Sequence, residues 1–299
     1  MTIQFHCPKC GALMAFADKH AGKSARCLNC NQQMIIPDKD GHLPRPIEKT
    51  EPKVPVPGFY RAVFVDSWKI FFDKDNLPAI GFVIAAVCFK FFSQGVCCLG
   101  YLVFFAAWGY LFGFYLNLIC ETAAGIDKLP EIEMGTSITF LWQIFRPIFV
   151  FAFAVLIVQL PLFVALALFN DKGITWENIW ETKTTFNLVL RFLFIAGLFL
   201  FPMAILAAAV IEDVTELFRL DRLITPVFRA FIPYIVTVLL LAAACLIETH
   251  AKQYTSEVKI SLVSTVGNLA LNLAEQVVAI IAMRSIGLFY RHYACYFSY

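Results

Sequence analysis

"LPAIGFVIAAVCFKFFSQGVCCLGYLVFFAAWGYLFGFYLNLIC", residues 77–120, is the stretch that decides the class of this protein. As a single α-helix it would be about 66 Å long, which is twice the thickness of a bilayer's hydrocarbon core. It must therefore turn back on itself, and "SQG" at 93–95 is the obvious place. The stretch predicts two membrane-spanning helices joined by a tight turn.

The composition of the whole chain agrees with that prediction. Of 299 residues, 60% are hydrophobic and 15% are charged, whereas soluble domains are about 45–50% apolar and 25% charged. The formal net charge of +2 argues against a strongly acidic or strongly basic partner. We therefore expect an all-α polytopic membrane protein that has the lipid bilayer as its first partner.

Apolar segments long enough to span a membrane recur along the chain. We predict a six-helix transmembrane domain over 77–299. Its spans lie near 77–93, 96–120, 146–169, 187–211, 227–247 and 261–288. The first span is the shortest and contains Lys90, so a re-entrant hairpin is the alternative there.

Lysine and arginine residues near the spans divide unequally between the two sides of the membrane. With a cytoplasmic N-terminus, the cytoplasmic side carries Arg61, Lys69, Lys74, Lys128, Arg146, Arg219, Arg222, Arg229, Arg284 and Arg291. The opposite side carries Lys172, Lys183, Arg191, Lys252 and Lys259. This excess predicts an integral protein of the cytoplasmic (inner) membrane with both termini cytoplasmic. The N-terminal "MTIQFHCPKC" has no apolar h-region, so we expect residues 1–76 to stay on the side of synthesis.

Four cysteines precede the spans in "CPKCGALMAFADKHAGKSARCLNC", residues 7–30. Cys7, Cys10, Cys27 and Cys30 form C-x2-C-x16-C-x2-C, which is the spacing of a structural zinc site. Four thiolates complete a tetrahedral shell around one Zn²⁺ and leave no open position for a catalytic water. We expect a small β zinc ribbon over 1–36, with strands at "ALMAF", "KSAR" and "QQMIIP". A redox pair or two disulfides are weaker alternatives.

The charge of the ribbon bears on its partner. Residues 1–36 carry four cationic side chains and one carboxylate, and a zinc ion with four thiolates contributes −2, which leaves about +1. This is too little for a basic stripe along a phosphate backbone. Nucleic acid is therefore an unlikely partner, and the ribbon is predicted to contact a protein.

Two further segments lead from the ribbon to the first span. Residues 37–58, "PDKDGHLPRPIEKTEPKVPVPG", contain six prolines and eight charges and predict a flexible, extended linker. Residues 59–76, "FYRAVFVDSWKIFFDKDN", mix aromatic and charged side chains and predict an amphipathic helix at the membrane interface.

The last span contains a stripe of polar residues, formed by Asn268, Asn272, Glu275 and Gln276. Glu275 is predicted to lie near mid-membrane, where an ionisable group is costly and normally faces a partner or a cavity. The stripe is therefore a possible intramembrane functional site. The structural alternative is a protonated Glu275 bonded to Gln159 or to another polar residue, because no basic residue has an obvious matching depth.

The second span contains a second stripe at four-residue spacing, formed by Gly109, Gly113, Asn117 and Glu121. The two glycines allow a second helix to approach closely. Packing within the chain is the favoured interpretation, and a dimer face is the alternative. The oligomeric state stays open.

Motifs of known enzyme classes are missing from the sequence, which contains no HExxH, GxSxG or P-loop. Glu248, His250 and His292 are predicted to be interface residues near span ends, without a shared site. We therefore expect a protein that is not an enzyme.

The chain resembles bacterial multipass membrane proteins of uncharacterised function that begin with a four-cysteine zinc ribbon. The resemblance rests on the cysteine motif, the proline-rich linker and three stretches of the membrane portion. These stretches are "NLICETAAGIDKLPEIEMG" (117–135), "FPMAILAAAVIEDVTELFRLDRLI" (201–224) and "RSIGLFYRHY" (284–293). The resemblance implies the fold and the cellular location, and these families have no established activity that could be transferred to this chain.

Two functions follow as hypotheses. The first is a non-enzymatic membrane protein whose cytosolic ribbon serves as a protein-docking or regulatory module for a membrane assembly. The alternative is a transporter or channel-like protein that uses the polar stripe around Glu275. An intramembrane enzyme is a distant third.

Overall fold

The computed structural model describes residues 2–6, 12–17, 24–26, 33–35, 54–93, 97–130, 137–168, 185–210, 220–251 and 262–297. By their internal contacts the residues divide into two compact units, Met1–Glu51 and Pro52–Tyr299. Each unit is described by itself.

The N-terminal unit contains two antiparallel strand pairs. Strand β1 (Thr2–His6) pairs with β2 (Leu13–Ala17), and β3 (Ser24–Arg26) pairs with β4 (Gln33–Ile35). Phe5 and Met14 lie opposite each other, and both are buried. Strands β2, β3 and β4 fall on the three segments predicted as strands, whereas β1 was not predicted.

The four cysteines lie outside the described residues, but their place in the chain order is informative. Cys7 directly follows β1 and Cys27 directly follows β3. Each CxxC pair therefore belongs to the segment that joins the two strands of one antiparallel pair.

The second unit is helical. Its helices are α1 (Leu77–Ser93), α2 (Cys97–Ala123), α3 (Ser137–Leu168), α4 (Thr185–Val210), α5 (Leu220–Arg229), α6 (Phe231–His250) and α7 (Leu262–Tyr293). All but α5 are long and apolar enough to cross a membrane, which confirms the prediction of six spans. The first span is the uninterrupted helix α1.

Some bounds differ from the predicted ones. Helix α3 begins at Ser137, nine residues before the predicted start, and α7 continues to Tyr293. Helix α6 begins at Phe231 because Ala230, which has non-helical dihedral angles, separates it from α5. The additional turns of α3 and α7 fall outside the apolar windows from which the spans were predicted.

Helix α7 is central to the packing of this unit. It contacts α6, α2 and α1, and every residue from Ala279 to Phe289 is buried. A Cβ atom at Gly287 would lie 2.7 Å from the carbonyl oxygen of Ile119, so only glycine allows α7 to approach α2 this closely. At about 48 Å, α7 is longer than the hydrocarbon core is thick.

A lead-in segment, residues 59–72, precedes the first span. It consists of short α-helical, π-helical and 3₁₀ turns and ends at Asp73, where the backbone is extended. The predicted interfacial helix over 59–76 is thus shorter and less regular than expected. Large apolar side chains at 60, 64, 68 and 72 recur every four residues and are exposed, whereas Phe59, Val63 and Ile70 are buried.

The end of the predicted flexible linker is hydrogen-bonded to α7. The Val56 N–H donates to the carbonyl oxygen of His292 at 2.8 Å, and Nδ1 of His292 lies 2.8 Å from the carbonyl oxygen of Val56. Gly58 has a φ of 104°, a left-handed conformation that favours glycine, and Phe59 packs against the ring of Phe289. Residues 54–58 therefore belong to the membrane unit.

Candidate functional site

A buried lysine lies among the membrane-spanning helices. Lys90 of α1 has a fully buried side chain, and its ammonium group donates to both carboxylate oxygens of Glu248 on α6, at 3.0 and 2.8 Å. The same ammonium lies 4.6 Å from the centre of the Trp108 ring on α2. A cation over an indole face is a favourable electrostatic contact. Lys90 therefore has two partners suited to its charged form.

The same ammonium also approaches the predicted intramembrane glutamate. Oε2 of Glu275 on α7 lies 3.9 Å from Nζ of Lys90. Gln276 donates from Nε2 to Oε2 of Glu275 and accepts, at its Oε1, a hydrogen bond from the hydroxyl of Tyr115 on α2. We call Lys90, Trp108, Glu248 and Glu275 the Lys90 cluster, and Gln276 and Tyr115 extend it.

The Lys90 cluster joins four helices that are distant in sequence. Lys90 and Glu248 are 158 residues apart, and Glu275 lies about 20 Å along α7 from its first residue. Placing charges away from water is costly unless they are paired and hydrogen-bonded. These contacts therefore fix how α1, α2, α6 and α7 pack together.

Two sequence-based interpretations are wrong at this cluster. Glu248, placed near a span end, was predicted to belong to no shared site, yet it forms an ion pair with a buried lysine. No basic residue was matched to Glu275, whereas Lys90 is within 4 Å of it. Gln159, considered as a partner of Glu275, instead donates to the carbonyl oxygen of Phe194.

The other two members of the predicted stripe lie on the preceding turns of α7. Asn272 is fully buried and donates from Nδ2 to the backbone carbonyl of Asn268 at 2.8 Å. Asn268 is half-buried. The structure therefore brings Glu275 and Gln276 into the Lys90 cluster, while the described bond of Asn272 stays within its own helix.

The stripe on α2 packs against α3 of the same chain. A Cβ atom at Gly109 would lie 2.5 Å from the carbonyl oxygen of Ile144, and one at Gly113 would lie 3.3 Å from Cγ of Pro147. Farther along the stripe, Gly113, Asn117 and Glu121 line a cavity of about 850 Å³, to which α1, α3 and the segment after α2 also contribute side chains.

A second charged group lies where α2 ends. Asp127 accepts a hydrogen bond from Nη2 of Arg284 at 2.8 Å, and Nη1 of Arg291 lies 3.2 Å from each of its carboxylate oxygens. We call these three residues the Asp127 cluster. The Arg284 side chain is only 3% exposed, whereas the side chains of Asp127 and Arg291 are 55% and 40% exposed.

The Asp127 cluster borders a cavity of about 520 Å³ beside the lead-in segment. Asp66 also lines this cavity, where the hydrogen bond from Lys69 lowers the pKa of the Asp66 carboxyl below its usual value. Neither this cavity nor the one beside α2 includes a residue of the Lys90 cluster. The Glu275 side chain is itself buried.

Within the described parts of the chain, no group of three or more His, Cys, Asp or Glu side chains could hold a metal ion. Cys7, Cys10, Cys27 and Cys30 lie outside those parts, so their donor chemistry is the only basis for a metal site. Four thiolates suit Zn²⁺ in a closed tetrahedral shell.

No family model, curated protein or solved structure matches this chain. Its function is therefore argued from its own residues. The six spans make it an integral membrane protein, and the Lys90 cluster is the most distinctive chemical feature of the described membrane unit.

Proposed function

We propose that the protein is a non-enzymatic integral membrane protein whose zinc ribbon docks or regulates a protein partner in a membrane assembly. One observation carries this proposal. Residues 1–51 form a compact unit of their own, in which each CxxC pair belongs to the segment between two antiparallel strands. A closed four-thiolate site stabilises such a small unit and offers no position for catalysis.

Zinc content is the first test of this proposal. The purified full-length protein should contain one zinc per chain, and Cys7→Ser combined with Cys27→Ser should remove it. Cys295→Ser, a cysteine near the end of the chain, is the matched control and should retain the zinc. A wild-type protein without zinc would rule out the ribbon.

Partner binding is the second test. Cross-linking in cells followed by purification should recover a protein that depends on Cys7 and Cys27 but not on Cys295. The helical content of each variant should be unchanged, since the cysteines of the ribbon lie outside the spans. If no protein is retained by the wild type and lost with the zinc, docking is excluded.

We further propose that the protein lies in the cytoplasmic membrane with both termini in the cytoplasm. The excess of Lys and Arg near one set of span ends supports this orientation, and so does the need of the thiolates for a reducing compartment. Reporter fusions at residues 1 and 299 should both be active only as cytoplasmic reporters.

A transporter or channel-like activity is a second candidate, and the Lys90 cluster favours it. Ionisable side chains from three helices meet inside the bundle, and such groups recur on ion and proton pathways. Because the Glu275 side chain is buried, transport would require the helices around it to move apart.

Flux through vesicles tests this candidate. Vesicles containing the wild-type protein and an internal pH dye should lose an imposed pH gradient faster than protein-free vesicles. Glu275→Gln should abolish the difference, and Glu121→Gln on α2 should preserve it. Equal rates with and without the protein would contradict proton transport.

A further inference from the structure

The Lys90 cluster contains more acidic groups than basic ones. One ammonium, that of Lys90, contacts two carboxyl groups, those of Glu248 and Glu275. With all three groups ionised, the cluster would carry a net charge of −1 among apolar helices. A net charge centred on side chains as buried as those of Lys90 and Glu275 is strongly unfavourable, so something must neutralise it.

The contact distances show which two groups form the ion pair. Both oxygens of Glu248 accept hydrogen bonds from Lys90, and the Glu248 side chain is 25% exposed. The face of Trp108 further stabilises the ammonium. Lys90 and Glu248 are therefore the charged pair.

Glu275 has surroundings of a different kind. Its Oε2 lies 3.9 Å from the ammonium, beyond hydrogen-bonding distance, and its side chain is 6% exposed. The group that donates to Oε2 is the neutral amide of Gln276, which in turn accepts from Tyr115. Among the described residues, the structure gives Glu275 no cationic contact besides Lys90.

We propose that Glu275 is a proton-binding site and holds one exchangeable proton, so that the Lys90 cluster is neutral. Oε2 accepts the Gln276 hydrogen bond, which leaves Oε1 to carry the proton. Release of that proton leaves a carboxylate on Glu275, and its return restores neutrality. A bound metal cation is disfavoured because the Lys90 ammonium already lies against both carboxyl groups and would repel it.

The titratable groups that face Glu275 from the neighbouring helices include one cation, so a single proton on Glu275 is enough to neutralise the cluster. Lys90 lies on α1, Tyr115 on α2, and Glu248 and Cys245 on α6, where the Cys245 thiol interacts electrostatically with both carboxyls. A proton can bind at Glu275 and keep the cluster neutral without being transported across the membrane. The proton site and the transport activity can therefore fail independently.

Infrared spectroscopy of the full-length protein in phosphatidylcholine vesicles tests this inference. The wild type at neutral pH should show a protonated-carboxyl stretching band that shifts in D₂O and is lost at high pH. Glu275→Gln should remove the band because the proton site is gone. Glu248→Gln should also remove it, because Glu275 then ionises to pair with Lys90.

Asp66→Asn is the matched control. Asp66 is paired with Lys69, and its lowered pKa keeps it ionised, so this substitution should leave the band unchanged. The amide band in the same spectra reports whether each variant is folded. A band that persists in folded Glu275→Gln or Glu248→Gln protein overturns the inference. A wild-type protein without the band overturns it as well.

Discussion

The Lys90 cluster and the Asp127 cluster, at opposite ends of the α1–α2 hairpin, have opposite charge imbalances. The first sets one cation against two carboxyl groups, and the second sets one carboxylate against two guanidinium groups. In the first, the extra carboxyl is buried, whereas in the second the extra cation, Arg291, is 40% exposed. The excess charge at Asp127 therefore lies on a partly exposed side chain, while the excess at Lys90 must be neutralised within the cluster.

Burial, more than the number of charged groups, therefore decides whether an excess charge can stay ionised or must be neutralised by a proton. A salt bridge at the surface contributes little to stability, and salt screens it further. A buried charge that loses its partner is strongly destabilising. The two clusters should therefore respond differently to the same kinds of substitution.

The largest effect is expected when Lys90 loses both carboxylates. Glu248→Gln combined with Glu275→Gln leaves a buried ammonium without a counter-ion and should lower the free energy of unfolding by about 3–5 kcal/mol. Each single substitution should cost much less, because the remaining carboxylate pairs with Lys90. Unfolding in detergent micelles measures all three variants.

The decisive comparison is between the stability lost in the double variant and the sum of the losses in the two single variants. If the loss in the double variant equals the sum of the two single losses, the carboxyl groups do not substitute for each other at Lys90. That result would contradict the assignment of one ionised and one protonated carboxyl group to the Lys90 cluster.

A smaller effect is expected from the glycine that brings Arg284 close to α2. In Gly287→Ala the new Cβ would meet the Ile119 carbonyl oxygen at 2.7 Å, so the helices must separate. The free energy of unfolding should fall by about 1–3 kcal/mol. Gly267→Ala on the same helix has open space around it and is the control. Equal thermal stability of these two variants would contradict the close α2–α7 approach.

The smallest effect is expected at the exposed side of the Asp127 cluster. Arg291→Gln removes the extra cation but leaves Arg284 paired with Asp127. The free energy of unfolding should fall by about 1 kcal/mol or less, and the difference should vanish in high salt. A larger loss that persists in high salt would contradict an exposed, salt-screened ion pair at Arg291.

The sequence was sufficient to predict the six spans, because apolar runs of about 20 residues are typical of membrane-spanning helices and rare in soluble domains. It also identified Glu275 and Gln276, since a carboxyl within such a run is rare. Strand β1 was missed because its alternation of Ile3 and Phe5 with polar residues extends over only five positions.

The partners of Glu275 could not be predicted in the same way. Lys90 and Glu248 each lie within three residues of a helix end, where charged residues are ordinary. Their pairing depends on which faces of α1, α6 and α7 meet, and a single sequence does not determine those faces. The shared depth of Lys90 and Glu248 at the same side of the bilayer was the one available signal.

Removing the cation from each cluster separates the buried charge imbalance from the exposed one. We expect Lys90→Met to gain a second protonated carboxyl in the infrared spectrum at neutral pH, because Glu248 loses its counter-ion. Arg284→Met should gain none, because Asp127 keeps Arg291 and its side chain is exposed. An unchanged carboxyl band in folded Lys90→Met protein would contradict the account.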